Sequence, residues 1–130
     1  MWICLNNGFI SAVRDGYDPT KLKVRARVKK HLQDLFPKHT IITTTDSDYR
    51  HRVIVERSEF AGFLAQKALA IDYGNFKDSV ADDELHRAYV DMWHAGMNMQ
   101  RRDVEKTIVR PNKRKPKPSK YDPWAGRGGR

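Results

Sequence analysis

From Lys21 to Lys29 the chain alternates without a break, with Lys21, Lys23, Arg25, Arg27 and Lys29 opposing Leu22, Val24, Ala26 and Val28. A period of two places every apolar residue on one face and every cation on the other. The stretch is therefore read as a strand with one buried side.

Its neighbours in sequence carry the signals of further strands. Trp2 to Leu5 and Phe9 to Val13 flank Asn6-Asn7-Gly8, and Asn and Gly tolerate the positive φ that tight hairpin turns use. After the turn-like Asp15-Gly16-Tyr17-Asp18-Pro19 comes the alternating strand itself. A short helix is predicted through His31 to Phe36, ended by Pro37, because proline disfavours helical geometry in the residue before it. The β-branched runs Thr40 to Thr44 and Arg52 to Glu56 read as a fourth and fifth strand, with Asp46-Ser47-Asp48 as the turn between them.

Two longer helices follow. Ser58 is positioned to cap one whose Phe60, Phe63, Leu64, Ala68 and Ile71 recur every three or four residues and so share a face. Asp72 to Lys77 breaks the pattern. A second helix from about Asp82 turns Leu85, Tyr89, Met92, Trp93 and Gly96 inward. Its acidic start at Asp82, Asp83 and Glu84 and its basic end at Arg101 and Arg102 suit the helix dipole. The order implies an α+β fold: a small antiparallel sheet of about five strands with two or three helices packed on one face and the other face open.

Charge divides the chain unevenly. From Arg101 onward eleven Lys or Arg face only Asp103, Glu105 and Asp122, so this end carries +8 of the formal +9. From Pro111 onward Pro, Lys, Arg and Gly dominate, and too little apolar surface is present to offset the entropy of ordering. We read residues 1–103 as a globular domain and 104–130 as a flexible, disordered basic tail. The one cysteine, Cys4, has no partner for an internal disulfide, and neither an export leader nor an apolar run of spanning length is evident, so a cytoplasmic protein is expected.

The segments Met1-Trp2-Ile3, Gly8-Phe9-Ile10-Ser11, Val24-Arg25-Ala26-Arg27, Asp48-Tyr49-Arg50 and Asp72-Tyr73-Gly74-Asn75-Phe76-Lys77 occur together in this order. The set resembles a family of short uncharacterised bacterial and bacteriophage proteins over roughly residues 1–100, with the tail outside the resemblance. It implies a cytoplasmic protein carried by phages or mobile elements and transfers no activity.

Three features bear on function. Cations at alternate positions of a strand lie about 6.6 to 7 Å apart, matching the phosphate spacing of an extended nucleic-acid strand. Lys21, Lys23, Arg25, Arg27 and Lys29 could thus track a backbone, widened by Arg50 and Arg52, or they are simply the solvated face of a half-exposed sheet. In the tail, Lys113, Arg114, Lys115, Lys117 and Lys120 precede Tyr121, Trp124, Arg127 and Arg130. Mobile cations attract polyanions and the aromatics stack on unpaired bases; the same segment could instead present Trp124 to a protein.

The third feature is the polar set Asp72, Tyr73, Asn75, Lys77 and His86, with Asp48, Tyr49 and His51, from which a general acid–base site would have to be drawn. Convergence of Asp72, Tyr49 and His86 in one cleft would mark a small enzyme. His31, His39, His51, His86 and His94 follow no metal-ligand spacing, and neither phosphate-binding nor dinucleotide-binding glycine motif is present. The sequence therefore points first to a non-enzymatic binding protein that contacts nucleic acid, without cofactor or metal. The other two readings are a protein-interaction module acting on a host complex and a small enzyme.

Overall fold

The computed structural model describes residues 1–109; the predicted tail sites from Lys113 to Arg130 lie outside the described residues. The fold is α+β, with a five-stranded antiparallel sheet in the order β1-β2-β3-β5-β4. Its strands are β1 (Trp2–Leu5), β2 (Gly8–Arg14), β3 (Lys21–Ala26), β4 (Ile42–Thr43) and β5 (His51–Glu56), and its helices are α1 (Lys29–Leu35), α2 (Arg57–Leu69) and α3 (Asp83–Val109). A single 3-10 turn, Lys77–Ser79, precedes α3. Contacts divide the chain after Trp93: Met1–Trp93 form one compact unit, and the described part of the second is the helical stretch from His94 to Val109.

The hairpin forms as its turn signal requires, with Leu5 paired to Gly8 across Asn6-Asn7. Gly8 is needed for a different reason from the one the sequence offers. It stands inside β2 and is packed so closely by α1 that an added Cβ would lie 2.9 Å from Leu35 Cδ1 and 3.2 Å from His31 Cβ.

The alternating strand is the middle one, paired to β2 on one side and β5 on the other. Leu22, Val24 and Ala26 face a core built from Ile10, Ala12, Leu32, Phe36, Val53 and Phe60. Ile10, Val24, Leu32 and Val53 are completely buried, and each such side chain contributes about 1.5–3 kcal/mol of burial free energy. The strand is shorter than its pattern. It ends at Ala26, and Lys29 begins α1 rather than closing the cationic row. Val28 keeps extended geometry at φ −109° and ψ 121° as the residue before α1, which prolongs the alternation, but its side chain is half exposed.

The helices α1 and α2 cover the core face. Along β2 the side chain of Phe9 points opposite to Ile10, and it meets Leu85, Tyr89 and Met92 of α3 and Phe76 in a second apolar cluster. Cys4 Sγ lies 3.8 Å from Met92 Sδ on that same side. The first turns of α3 therefore pack against the β1–β2 half of the far face, which leaves the β3–β5 half of it as the open surface. Asp82 Oδ1 accepts the Leu85 N–H at 2.8 Å and starts α3 as its acidic position suggests.

Other expectations are corrected at the ends of elements. The fourth strand is an edge strand of two residues rather than five. Ser58 lies inside α2, which Glu56 precedes without a side-chain cap. Only Phe60, Phe63 and Leu64 of the expected α2 stripe reach the core; Ala68 is exposed, and Ile71 is exposed beyond the helix end at Leu69. Trp93 is half exposed and Gly96 exposed, so the inward face of α3 ends near Met92. The helix itself continues past Arg101 and Arg102, and past the boundary read at residue 103, to Val109.

Candidate functional site

The open half of the far face carries Lys21, Lys23 and Arg25 from β3, Arg52, Ile54 and Glu56 from β5, and Ser11 and Val13 from β2. The register decides which charges remain available. Lys21 stands directly opposite Glu56 and pairs with it at 3.4 Å. Lys23 pairs at 3.8 Å with Asp15, which is 5% exposed. These two members of the predicted row are thus neutralised in place. The next pair across the same two strands is Arg25 opposite Arg52.

Among the described residues no carboxylate pairs with Arg25, Arg27 or Arg52. They gather instead around Tyr49, whose ring takes the Arg25 guanidinium at 4.4 Å and that of Arg27 at 4.0 Å. Tyr49 is 3% exposed beneath them. Stacking of this kind contributes about 0.5–1 kcal/mol at exposed sites and about 2 kcal/mol when desolvated.

The loop that delivers Tyr49 is fixed by its polar residues. Asp48 Oδ1 accepts the Tyr49 N–H at 2.9 Å, and the Thr44 N–H donates to the Arg50 carbonyl at 2.9 Å. Arg52 Nη2 donates to Thr44 Oγ1 and to the Tyr49 carbonyl, the latter at 3.3 Å. Arg25 Nη2 donates to Ser11 Oγ at 2.9 Å.

These interactions leave groups unused at one place. Arg25 Nε, Arg52 Nε and the Tyr49 hydroxyl are all buried without a hydrogen-bond partner among the described residues. A buried donor left so costs about 1–3 kcal/mol, and two guanidiniums facing each other across a ladder repel. An anion at the surface of this pair would offset the second cost; the first falls on atoms closed to solvent. Arg27, exposed just beyond the end of β3, extends the cationic surface outward.

Lys29 and Arg50 lie elsewhere in this neighbourhood. Partial desolvation, and then the positive charges of Lys29 and Arg50, hold the His51 pKa below its usual value. His51 Nδ1 contacts Thr43 Oγ1 at 3.0 Å. The row read as five cations along one strand thus resolves into two neutralised lysines, two arginines on Tyr49 and one lysine on α1.

The acid–base set does not assemble. His86 Nδ1 contacts the Lys77 carbonyl at 2.8 Å, Asn75 Oδ1 accepts the Lys77 N–H, and Tyr73 packs on Phe76 at 5.8 Å. Lys77 Nζ lies over the Trp93 ring at 4.9 Å. No hydrogen bond, ion pair or ring contact joins Asp72, Tyr49 and His86. Among the described residues no three His, Cys, Asp or Glu side chains are grouped as a metal site, and no helix is long and apolar enough to cross a membrane.

Sequence reasoning missed Tyr49 as a stacking platform and Ser11, Asp15 and Glu56 as the partners that sort the cations. The Asp48-Tyr49-Arg50 segment was visible, but its role depends on cross-strand register. No protein-family model, curated protein or solved structure matches this chain.

Proposed function

We propose that this protein is a non-enzymatic nucleic-acid-binding factor that holds phosphates on the open half of its sheet. The observation that supports it is the facing pair Arg25 and Arg52, the first stacked with Arg27 on the Tyr49 ring and the second hydrogen-bonded to the Tyr49 carbonyl, with no carboxylate partner for any of the three among the described residues. Arginine suits the task because its planar donor fork matches phosphate geometry. The contribution of Lys21 and Lys23 is small, since each already has a carboxylate. The basic residues Lys113, Arg114, Lys115, Lys117, Lys120, Arg127 and Arg130, with Tyr121 and Trp124, add a second, sequence-based contribution: cations for phosphates and rings for bases.

The family resemblance supports an accessory role for a phage or mobile element, acting in the cytoplasm. A host protein is the second partner class. It is favoured by Met97, Val104 and Ile108, apolar side chains exposed on the helical stretch after Trp93, and it predicts binding that tolerates salt.

A salt titration separates the two. Affinity of the full chain for single- and double-stranded nucleic acid is compared with that of a chain ending at Arg110. Binding that falls steeply with salt, and that persists in weakened form after truncation, is the expected result. Absence of binding by both chains at low salt contradicts the proposal.

A further inference from the structure

Within the Met1–Trp93 unit a cavity of about 580 Å³ opens where the Asn6-Asn7 turn, the start of α1 and the start of α3 meet. Cavities of about 300–1,000 Å³ are the usual size for small-molecule sites. Phe9, Val28, Leu85 and Ala88 give it apolar walls, Asn6 and Asn7 line it as well, and its carboxylates are engaged within the fold, Asp82 with the Leu85 N–H and Glu84 with Arg87.

His31 contributes a defined polar group. Its Nδ1 accepts the Phe9 N–H at 3.3 Å, which leaves the ring proton on Nε2. Burial holds its pKa below the usual histidine value, which favours the neutral ring. Lys30 and Asp34, also at the rim, satisfy each other at 2.8 Å. Arg27 is the rim cation that has no carboxylate among the described residues, and it is the same Arg27 that stacks on Tyr49. One residue therefore belongs to both the apolar cavity and the phosphate face.

We propose that this cavity receives an unpaired nucleobase whose own phosphate is held by Arg27. The inference rests on the reading of the sheet face as a phosphate site and adds the form of the ligand. A base enters such a cavity only when it is neither stacked nor paired, so the partner is single-stranded. The ligand needs a largely apolar body with hydrogen-bonding edges and an anion attached, and a nucleotide unit has both. The Asn6 and Asn7 amides and the His31 Nε2–H offer donors and acceptors to its edge.

The test uses the full chain and three labelled ligands: a short single strand, the same strand with abasic sugars, and its duplex. Each is measured with the native chain and with Ala88→Leu, a change at an exposed position of α3 that narrows the cavity without removing a charge. A nucleoside 5′-monophosphate and inorganic phosphate serve as competitors. The expected result is a single strand bound about tenfold more tightly than the abasic strand or the duplex. Ala88→Leu should erase that advantage while leaving abasic binding unchanged, and the monophosphate should compete better than inorganic phosphate.

Equal affinity for intact and abasic strands overturns the inference and leaves the phosphate face standing. So does a base preference that survives Ala88→Leu, which would assign it to Tyr121 or Trp124. If none of the three ligands binds at low salt, the functional reading fails together with the cavity.

Discussion

Arg25 and Arg52 face each other across β3 and β5, and among the described residues no carboxylate stands with them. Further along, the same two strands pair a lysine with an acid at Lys21 and Glu56. A surface organised only for solubility has no reason to treat the two positions differently. Like charges directly opposite in a ladder cost stability, so replacing one of them separates folding from binding.

Arg52→Gln should change thermal stability by less than about 1 kcal/mol, because relief of the repulsion with Arg25 offsets the lost hydrogen bonds to Thr44 and the Tyr49 carbonyl. Its affinity for single-stranded nucleic acid should fall roughly tenfold, about 1.4 kcal/mol. Denaturation and binding titrations on the same preparation check both halves. A variant that loses more than about 1 kcal/mol of stability would mean that Arg52 is a structural residue.

The two parts of Tyr49 should behave oppositely. Its hydroxyl is buried without a partner, so Tyr49→Phe removes an unsatisfied group and is expected to be neutral or slightly stabilising. Tyr49→Leu keeps an apolar side chain but removes the ring beneath Arg25 and Arg27, and should cost about 1–2 kcal/mol with weaker binding. Equal stability loss in both variants would show that the hydroxyl, not the ring, is what the fold uses.

Gly8→Ala should destabilise the fold by about 1–3 kcal/mol, the usual cost of overpacking, because the new methyl group meets Leu35 and His31 at 2.9 and 3.2 Å. Urea denaturation reads this directly. An unchanged midpoint would mean that the Leu35 side chain rotates aside and that His31 gives by a few tenths of an ångström.

The hydroxyl of Tyr89 anchors α3 to the same hairpin, within 2.9 Å of both the Leu5 and Gly8 carbonyls, and burial raises its pKa well above the ordinary tyrosine value. Tyr89→Phe should lower stability by about 1 kcal/mol while leaving the Arg25 and Arg52 face intact. A loss of nucleic-acid affinity with unchanged stability would contradict that separation.

Acid should weaken the fold through His31, whose folded-state pKa lies below its unfolded value of about 6.5. Above that value both states are neutral and the contribution is whole. As pH falls through it, the unfolded chain takes up a proton that the folded chain resists, and stability drops until the folded pKa is reached. Protonation also removes the acceptor for the Phe9 N–H. Between pH 7 and about 5, His31→Gln should give a flatter stability profile than the native chain, with a residual slope from His51, which is shifted in the same direction. Identical slopes would assign the acid limb to other groups.

The strands and helices were legible because their signals are local. The Asn6-Asn7 turn, the alternation about Val24 and the acidic start of α3 each act within a few residues. The site was only partly legible. Alternation gave the face on which Arg25 lies, but whether a cation there is neutralised depends on its neighbours across the ladder. Glu56 beside Lys21 and Arg52 beside Arg25 follow from a register that no single segment encodes. Val28 shows the converse error, since an extended residue ahead of a helix prolonged a strand pattern beyond the strand.

The most direct measurement is the salt dependence of single-strand affinity for the full chain and for the double variant Arg25→Gln/Arg52→Gln. If phosphates sit on these guanidiniums, the double variant binds more weakly at low salt, and its slope of log affinity against log salt is shallower by about 0.7 for each phosphate it no longer neutralises. If its slope and affinity match those of the native chain, the sheet face does not hold the nucleic acid.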